Sequence, residues 1–136
     1  MFWVVAALLV FDLGLAKQEP NLEKRSDLAL KNAAAALDAA RDAYQAGDST
    51  KVNEALEETG QSVDLSYESL EASGKNPRNA GSYKRAELAT RQLLRRLEGL
   101  RQIMSALDRD VVDPAVAKVG SVHERLIQEI MSKKRR

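Results

Sequence analysis

Few side chains in this sequence could do chemistry at neutral pH. His123 is the single histidine and the one ordinary general base available. A serine nucleophile needs a base within hydrogen-bond reach, and only His123 could serve. Cysteine is absent, which removes thiol nucleophiles and thiolate metal ligands. Carboxylates cluster at Glu57-Glu58 and Asp108-Arg109-Asp110. Neighbours in a helical sequence point in different directions, so Glu57-Glu58 reads as a solvated face. Di-metal sites in helical bundles use Glu-x-x-His pairs, and the residue three before His123 is Gly120. Beyond residue 16 the aromatics are Tyr44, Tyr67 and Tyr83, too few for sugar-stacking platforms. These patterns predict a protein that is not an enzyme, with no catalytic residue, no metal ligand and no cofactor. His123 lies beside Val119 and Leu126 and reads as a histidine at the edge of a core. A lone ligand or a pH switch is the alternative.

Charge offers more. Lys75, Arg78, Lys84 and Arg85 gather around a loop that leads into a helix start. Free N–H groups and the dipole at such a start favour anions, so these four form a candidate anion-binding site. The alternative is a soluble loop with scattered cations. Residues 47–73 hold seven acidic side chains against Lys51, and residues 83–107 hold six basic ones against Glu87 and Glu98. Antiparallel neighbours of opposite charge attract, so these two stretches are expected to pair with each other. The second carries no interleaved aromatics for base stacking, which argues against a nucleic-acid surface. Lys133-Lys134-Arg135-Arg136 forms a basic tail.

The elements that must position these groups are helical. A first helix runs from about Asn21 to Ala46 with the seam Leu30, Ala33, Leu37, Ala40, Tyr44, in steps of three and four. Ala29, Ala36 and Ala43 flank it and would admit a close neighbour. Gly47 is the expected stop, since glycine takes the left-handed conformation cheaply. A second helix begins at Asp48 or Ser49 and buries Val52, Leu56, Thr59, Val63, Tyr67 and Leu70. Gly60 within it costs roughly 1 kcal/mol relative to Ala, and Gly74 closes it. Residues 74–82 form the clearest loop. Ser82 is the expected cap of a third helix, with the stripe Ala86, Leu93, Leu97, Leu100, Met104, Leu107 broadened by Ala89 and Leu94. Asp108 to Asp113 break it. Asp113 is then the expected cap, with Pro114 at the first helical position, of a fourth helix carrying Val116, Val119, Val122, Leu126 and Ile130. Strand alternation appears nowhere. The fold class expected is all-α, an antiparallel bundle of three long helices plus a shorter fourth. A three-helix bundle crossed by the fourth helix is the alternative.

The segment Ala43-Tyr44-Gln45-Ala46-Gly47-Asp48, with Ala55-Leu56 after it, resembles the turn of a tetratricopeptide repeat. That resemblance implies a helical hairpin turning at a Gly-Asp pair, of the kind that stacks with its copies to bind peptides. It covers about 15 residues, with no second copy, and the helices exceed a 34-residue unit. The wider pattern from Ser26 to Asp108 resembles secreted bacterial all-helical proteins of unassigned function.

Phe2 to Leu15 are apolar apart from Asp12, and Gly14 and Ala16 are small residues at the −3 and −1 positions of a signal-peptidase cut. The organisation expected is therefore a signal peptide over residues 1–16, a helical domain over 17–132, and the basic tail over 133–136. The run lacks the usual cationic start, and the alternatives are a retained anchor, although a span needs roughly 20 apolar residues, and a cytosolic protein with a buried N-terminal helix. Export to the periplasm or the extracellular space follows from the signal reading. An exported chain without cysteine must hold together by packing rather than disulfides. A content of 44% apolar and 30% charged residues suits such packing and excludes disorder as the default state. The function expected is a non-catalytic protein-binding or structural module whose partner is another protein, not nucleic acid. The alternative is a peripheral binder of anionic envelope surfaces through the basic loop and tail.

Overall fold

The computed structural model describes residues 13–132, all of whose regular structure is helical. A short helix α1 (Leu13–Lys17) precedes three long ones, α2 (Leu22–Gln45), α3 (Ser49–Ser73) and α4 (Gly81–Ile103). A 3-10 turn (Arg109–Val112) leads into the shorter α5 (Asp113–Met131). The bundle of three long helices and a shorter fourth is thus the architecture. At 1.5 Å per residue the long helices extend about 35 Å.

The ends of these helices follow local chemistry. The Asn21 side chain accepts the Lys24 N–H at 2.9 Å and caps α2. Asp48 does the same for α3 through the Lys51 N–H at 3.1 Å. Gly47 and Gly74 both take positive φ, +75° and +71°, where the chain turns out of α2 and α3. Two expected boundaries move. Ala80, not Ser82, holds the cap position of α4. Ser82 lies buried in the first turn and donates to Glu23 Oε2 at 2.7 Å, so its hydroxyl ties α4 to α2 instead. At the other end, Asp113 is the first residue of α5 rather than its cap, and Pro114 follows in the first turn, where its missing N–H costs nothing. The stripe of α4 also stops early. The helix ends at Ile103, and Leu107, expected in the core, is 95% exposed at the tip of the following loop. Val112 takes the buried place instead.

Successive long helices alternate in direction, but they do not follow one another around a square. α2 and α3 form the most extensive contact, α4 and α5 the next. The α2–α3 contacts Ser26–Ser66 and Asn32–Ser62 mark an antiparallel hairpin. The α4–α5 contacts Glu87–His123 and Arg101–Asp113 mark a second. The hairpins lie side by side with like helices parallel: Asp27 meets Arg85 and Asp38 meets Arg96 between α2 and α4, while Asp64 meets Lys118 and Tyr67 meets Glu129 between α3 and α5. The connection after Gly74, with Pro77 buried in it, therefore crosses a diagonal of the bundle end. α3 and α4 touch only slightly. The arginines of α4 accordingly pair with α2, with α5 and within α4, not with the acidic α3 as their charges suggested. Chain crossing, not charge, set the neighbours.

One core fills the space between the hairpins. Leu30, Ala33, Leu37 and Ala40 of α2 meet Leu56, Val63 and Leu70 of α3, then Leu93, Leu97 and Leu100 of α4 and Val119, Val122 and Leu126 of α5. On the far side of the first hairpin, Leu13 and Ala16 of α1 pack against Ala29, with Leu28 and Leu65 alongside. The Leu13 N–H donates to Glu58 Oε2 at 3.1 Å. That carboxylate also accepts from Asn32 Nδ2, which donates to Ser62 Oγ as well. The signal peptide expected over residues 1–16 lies outside the described residues up to position 12. Its last four residues form part of this docked helix. Among the described residues no helix is long and apolar enough to cross a membrane.

Candidate partner-binding surface

Of the four cations expected to share an anion, Lys75 and Arg85 already have carboxylate partners one turn apart on α2. Lys75 Nζ lies 3.2 Å from Glu23 Oε1, and Arg85 places two guanidinium nitrogens on Asp27 at 3.2 and 3.3 Å. Both carboxylates stand on α2, which runs parallel beside α4. The sequence pattern could not place them there without the diagonal crossing. Glu23 holds a proton less readily than an ordinary carboxyl, first because Ser82 donates to it and then because of Lys75. A carboxylate of the chain itself therefore already stands beside the first turn of α4. Arg78 and Lys84 are exposed. The Arg78 backbone N–H bonds the Asn76 side chain at 3.0 Å, an Asx turn that shapes the loop.

His123 stands where its apolar neighbours predicted, at the core edge between α4 and α5. Its Nε2 lies 3.0 Å from Glu87 Oε2, and Arg91 grips the same carboxylate at 2.7 and 3.0 Å. Arg91 above all, then His123, pulls the Glu87 pKa down against the opposing effect of burial. No serine hydroxyl is bonded to His123 among the described hydrogen bonds, and the group works as a clamp across the second hairpin. Among the described residues no cluster of three metal-ligating side chains forms.

Two tyrosines close the lower end. Tyr83 donates to the Leu70 carbonyl and to Glu71, each at 3.1 Å. Tyr67 donates to Glu129, and the Arg125 guanidinium sits 5.8 Å above its ring. Burial and the facing carboxylates push both phenols well above the usual tyrosine range.

The open feature of the surface is a furrow between α3 and the segment from the 3-10 turn into α5. Leu56, Val111 and Ala115 form its floor, and Asn53, Glu57, Gln61 and Asp64 stand along its α3 side. Lys118 closes one end by pairing with Asp64 at 2.7 Å. Its volume is about 410 Å³. A second hollow of about 340 Å³ shares Asn53 and Val111 with it and continues to the upper end, past Asp48, Asp108 and the exposed Leu107. Tyr44 shapes that end: its hydroxyl donates to Asp108 Oδ2 at 3.1 Å and accepts the Ser105 N–H at 2.8 Å. Local physics explains the furrow. Gly60 presents no side chain where α3 faces Lys118, so the helices approach there; above that point the short 3-10 turn replaces a helix and leaves space. Sequence reading missed this surface because its two sides lie some 55 residues apart. The signals present were the acidic α3 and the break at Asp108–Asp113.

No protein-family model, curated protein or solved structure matches the chain.

Proposed function

We propose that this chain is an exported, non-catalytic helical module that binds another protein along the α3–α5 furrow. The observation that carries this reading is the combination of an apolar floor at Leu56, Val111 and Ala115 with carboxylates at Asp48, Glu57 and Asp108 along it, Asp64 being paired with Lys118. Such a surface fits a segment with apolar anchors and cationic flanks. The tetratricopeptide-like turn at Gly47-Asp48 and the parallel laying of two hairpins support a peptide-binding role. Export rests on the apolar run and the small residues Gly14 and Ala16. Cleavage after Ala16 would remove Leu13 and Ala16 from Ala29, leaving the core between the hairpins untouched.

The second reading, adhesion to an anionic envelope surface, keeps Arg78, Lys84 and the tail as its cations. It loses Lys75 and Arg85, which are already paired within the fold. Crosslinking of the exported protein in its own envelope separates the two. The furrow reading expects protein adducts that persist at 0.5 M salt and fall in a Glu57→Lys/Gln61→Lys variant. Envelope binding that vanishes at high salt and ignores the furrow substitutions would install the second reading.

A further inference from the structure

The furrow has helix faces for both walls. On α3, Asn53, Leu56, Gly60 and Asp64 follow one another in steps of three and four, and so do Val111, Ala115 and Lys118 across from them. Each set is one face of a helical path, buried at Leu56, Gly60 and Ala115 and more open at its margins. Between them runs a lengthwise valley whose middle is small and apolar. It continues into the upper hollow at Ser49 and Val52 and is closed below by the Lys118–Asp64 pair. From Ser49 to Asp64 α3 rises about 22 Å, roughly four turns.

Such a valley selects the conformation of its occupant. Neither wall is a strand, so an extended segment finds no ladder to join. Between Val52 and Asp64 the α3 backbone is mid-helix, with its N–H and C=O groups committed to the helix itself, and Pro114 has no N–H to offer. Asn53 and Gln61 put amide side chains on the α3 side. They stand two turns apart, about 12 Å, and cannot pair with consecutive backbone groups. An extended segment on this floor would bury backbone polar groups without partners, which is costly. A helix brings its backbone already bonded and lays a ridge of side chains between the two faces.

We infer that the furrow takes an amphipathic helix of about four turns from another protein, lying lengthwise between α3 and α5. The inference rests on the furrow being the binding surface and gives the conformation and pattern of what fills it. Apolar residues of that helix at i, i+3 or i+4, and i+7 meet the floor of Val111, Leu56 and Ala115. Its lysines or arginines lie on the flank facing Glu57 and at the upper end, near Asp48 and Asp108. None is called for at the lower end, where Lys118 already pairs with Asp64. The apolar floor carries the affinity, so the contact persists at 0.5 M salt, and the carboxylates set the register.

Two readouts test this. The first is a dye-labelled, side-chain-stapled helical peptide of four turns, titrated into the full chain. It carries leucines at i, i+3 and i+7, with lysines on one flank and at one end. Expected is binding that survives 0.5 M salt and falls at least tenfold in Glu57→Lys/Gln61→Lys. It should also fall at least tenfold when the staple gives way to two prolines that keep every leucine and lysine. Both furrow positions are exposed on mid-helix turns, and circular dichroism checks that the variant chain keeps its helices. The second readout is the partner segment itself. A photoreactive side chain in place of Gln61, in the protein within its own cells, marks that segment, and the adduct is sequenced. Expected are apolar residues recurring at steps of three and four, with lysines or arginines toward one end. Failure of the stapled peptide to bind, or equal binding of its proline form, overturns the inference. An adduct in a segment of alternating apolar residues, or with proline at its centre, also overturns it and leaves the furrow reading standing. No protein adduct at position 61 removes both.

Discussion

The two hairpins reach the same topology by opposite means. In the first, small side chains line the contact: Ala29, Ala33, Ala36 and Ala40 are fully buried on α2, and Thr59, Ser62, Ser66 and Ser69 on α3 are buried or nearly so. The backbones come close enough for Ser26 and Ser66 to share a hydrogen bond of 2.7 Å. Thr59 and Ser69 return their hydroxyls to carbonyls one turn back, so no polar atom is stranded. The second hairpin meets through large side chains, Leu93, Leu97 and Leu100 against Val119, Val122 and Leu126, and seals its edge with the Glu87–His123–Arg91 clamp. A small-residue contact tolerates no added volume, whereas a leucine contact tolerates no lost volume. The furrow lies between α3 of the tight hairpin and the 3-10 turn and α5 of the bulkier one.

The largest expected effect breaks the second hairpin outright. Leu97 is 0% exposed, and Leu97→Asp places an unpaired carboxylate in the core. That costs several kcal/mol against a total of about 5–15, so the cooperative melt should vanish by circular dichroism. Arg95→Ala, on the exposed face of the same helix, should stay within about 0.5 kcal/mol. Equal small shifts would place the α4 core face wrongly.

The next pair sharpens the contrast between hairpins. Leu93→Ala empties space in the second and should cost about 2–5 kcal/mol. Ala33→Leu forces volume into the first and should cost about 1–3 kcal/mol. Denaturant titration measures both. A neutral Ala33→Leu would show that the first hairpin is not closely packed.

Alkali should attack the lower end first. Tyr67 and Tyr83 have folded pKa values above the unfolded value of 10.0. At such a pH the unfolded chain gives up protons that the folded one keeps, so stability is complete below about pH 10 and falls as the pH rises through it. Tyr83→Phe removes one of these phenols and should flatten the decline of melting temperature between about pH 9 and 11. An unchanged slope would mean that the Glu71 and Leu70 contacts do not hold the proton.

A smaller, stabilising change probes the floor between hairpins. A Cβ at Gly60 would meet Lys118 Cγ at 3.5 Å, an ordinary contact. Gly60→Ala should therefore gain about 0.5–1 kcal/mol from helix propensity. Destabilisation would mean that α3 and α5 approach more closely than described.

The smallest effect belongs to the basic loop. Replacing Lys75, Arg78, Lys84 and Arg85 with Gln removes two exposed ion pairs of about 0–1 kcal/mol each. Calorimetry should find no phosphate binding at 0.15 M salt in either form. Micromolar binding by the parent, lost in the variant, would restore these four as an anion site.

The helices themselves were legible because their signals are local. Asn21, Gly47, Asp48 and Gly74 punctuate the chain where periodicity ends, and the seams of α2, α3 and α5 follow from spacing alone. Leu107 misled because its spacing continues the α4 stripe although the helix has ended at Ile103. Neighbour relations were not legible. Charge suggested that α4 would lie beside α3, whereas the residues that decide are those of the crossing after Gly74, whose route depends on where Pro77 buries. Both the fate of Lys75 and Arg85 and the existence of the furrow hang on that route. His123 could be placed at the core edge from Val119 and Leu126, but Glu87 as its partner needed the fold.

Photocrosslinking from two single positions tests the central claim most directly. One reactive side chain replaces Gln61 in the furrow, and another replaces Lys84 beside the basic loop, in the protein within its own cells. The account predicts protein adducts from position 61 and none from position 84. Adducts from position 84 alone, or lipid and polymer adducts there with nothing at 61, would contradict it.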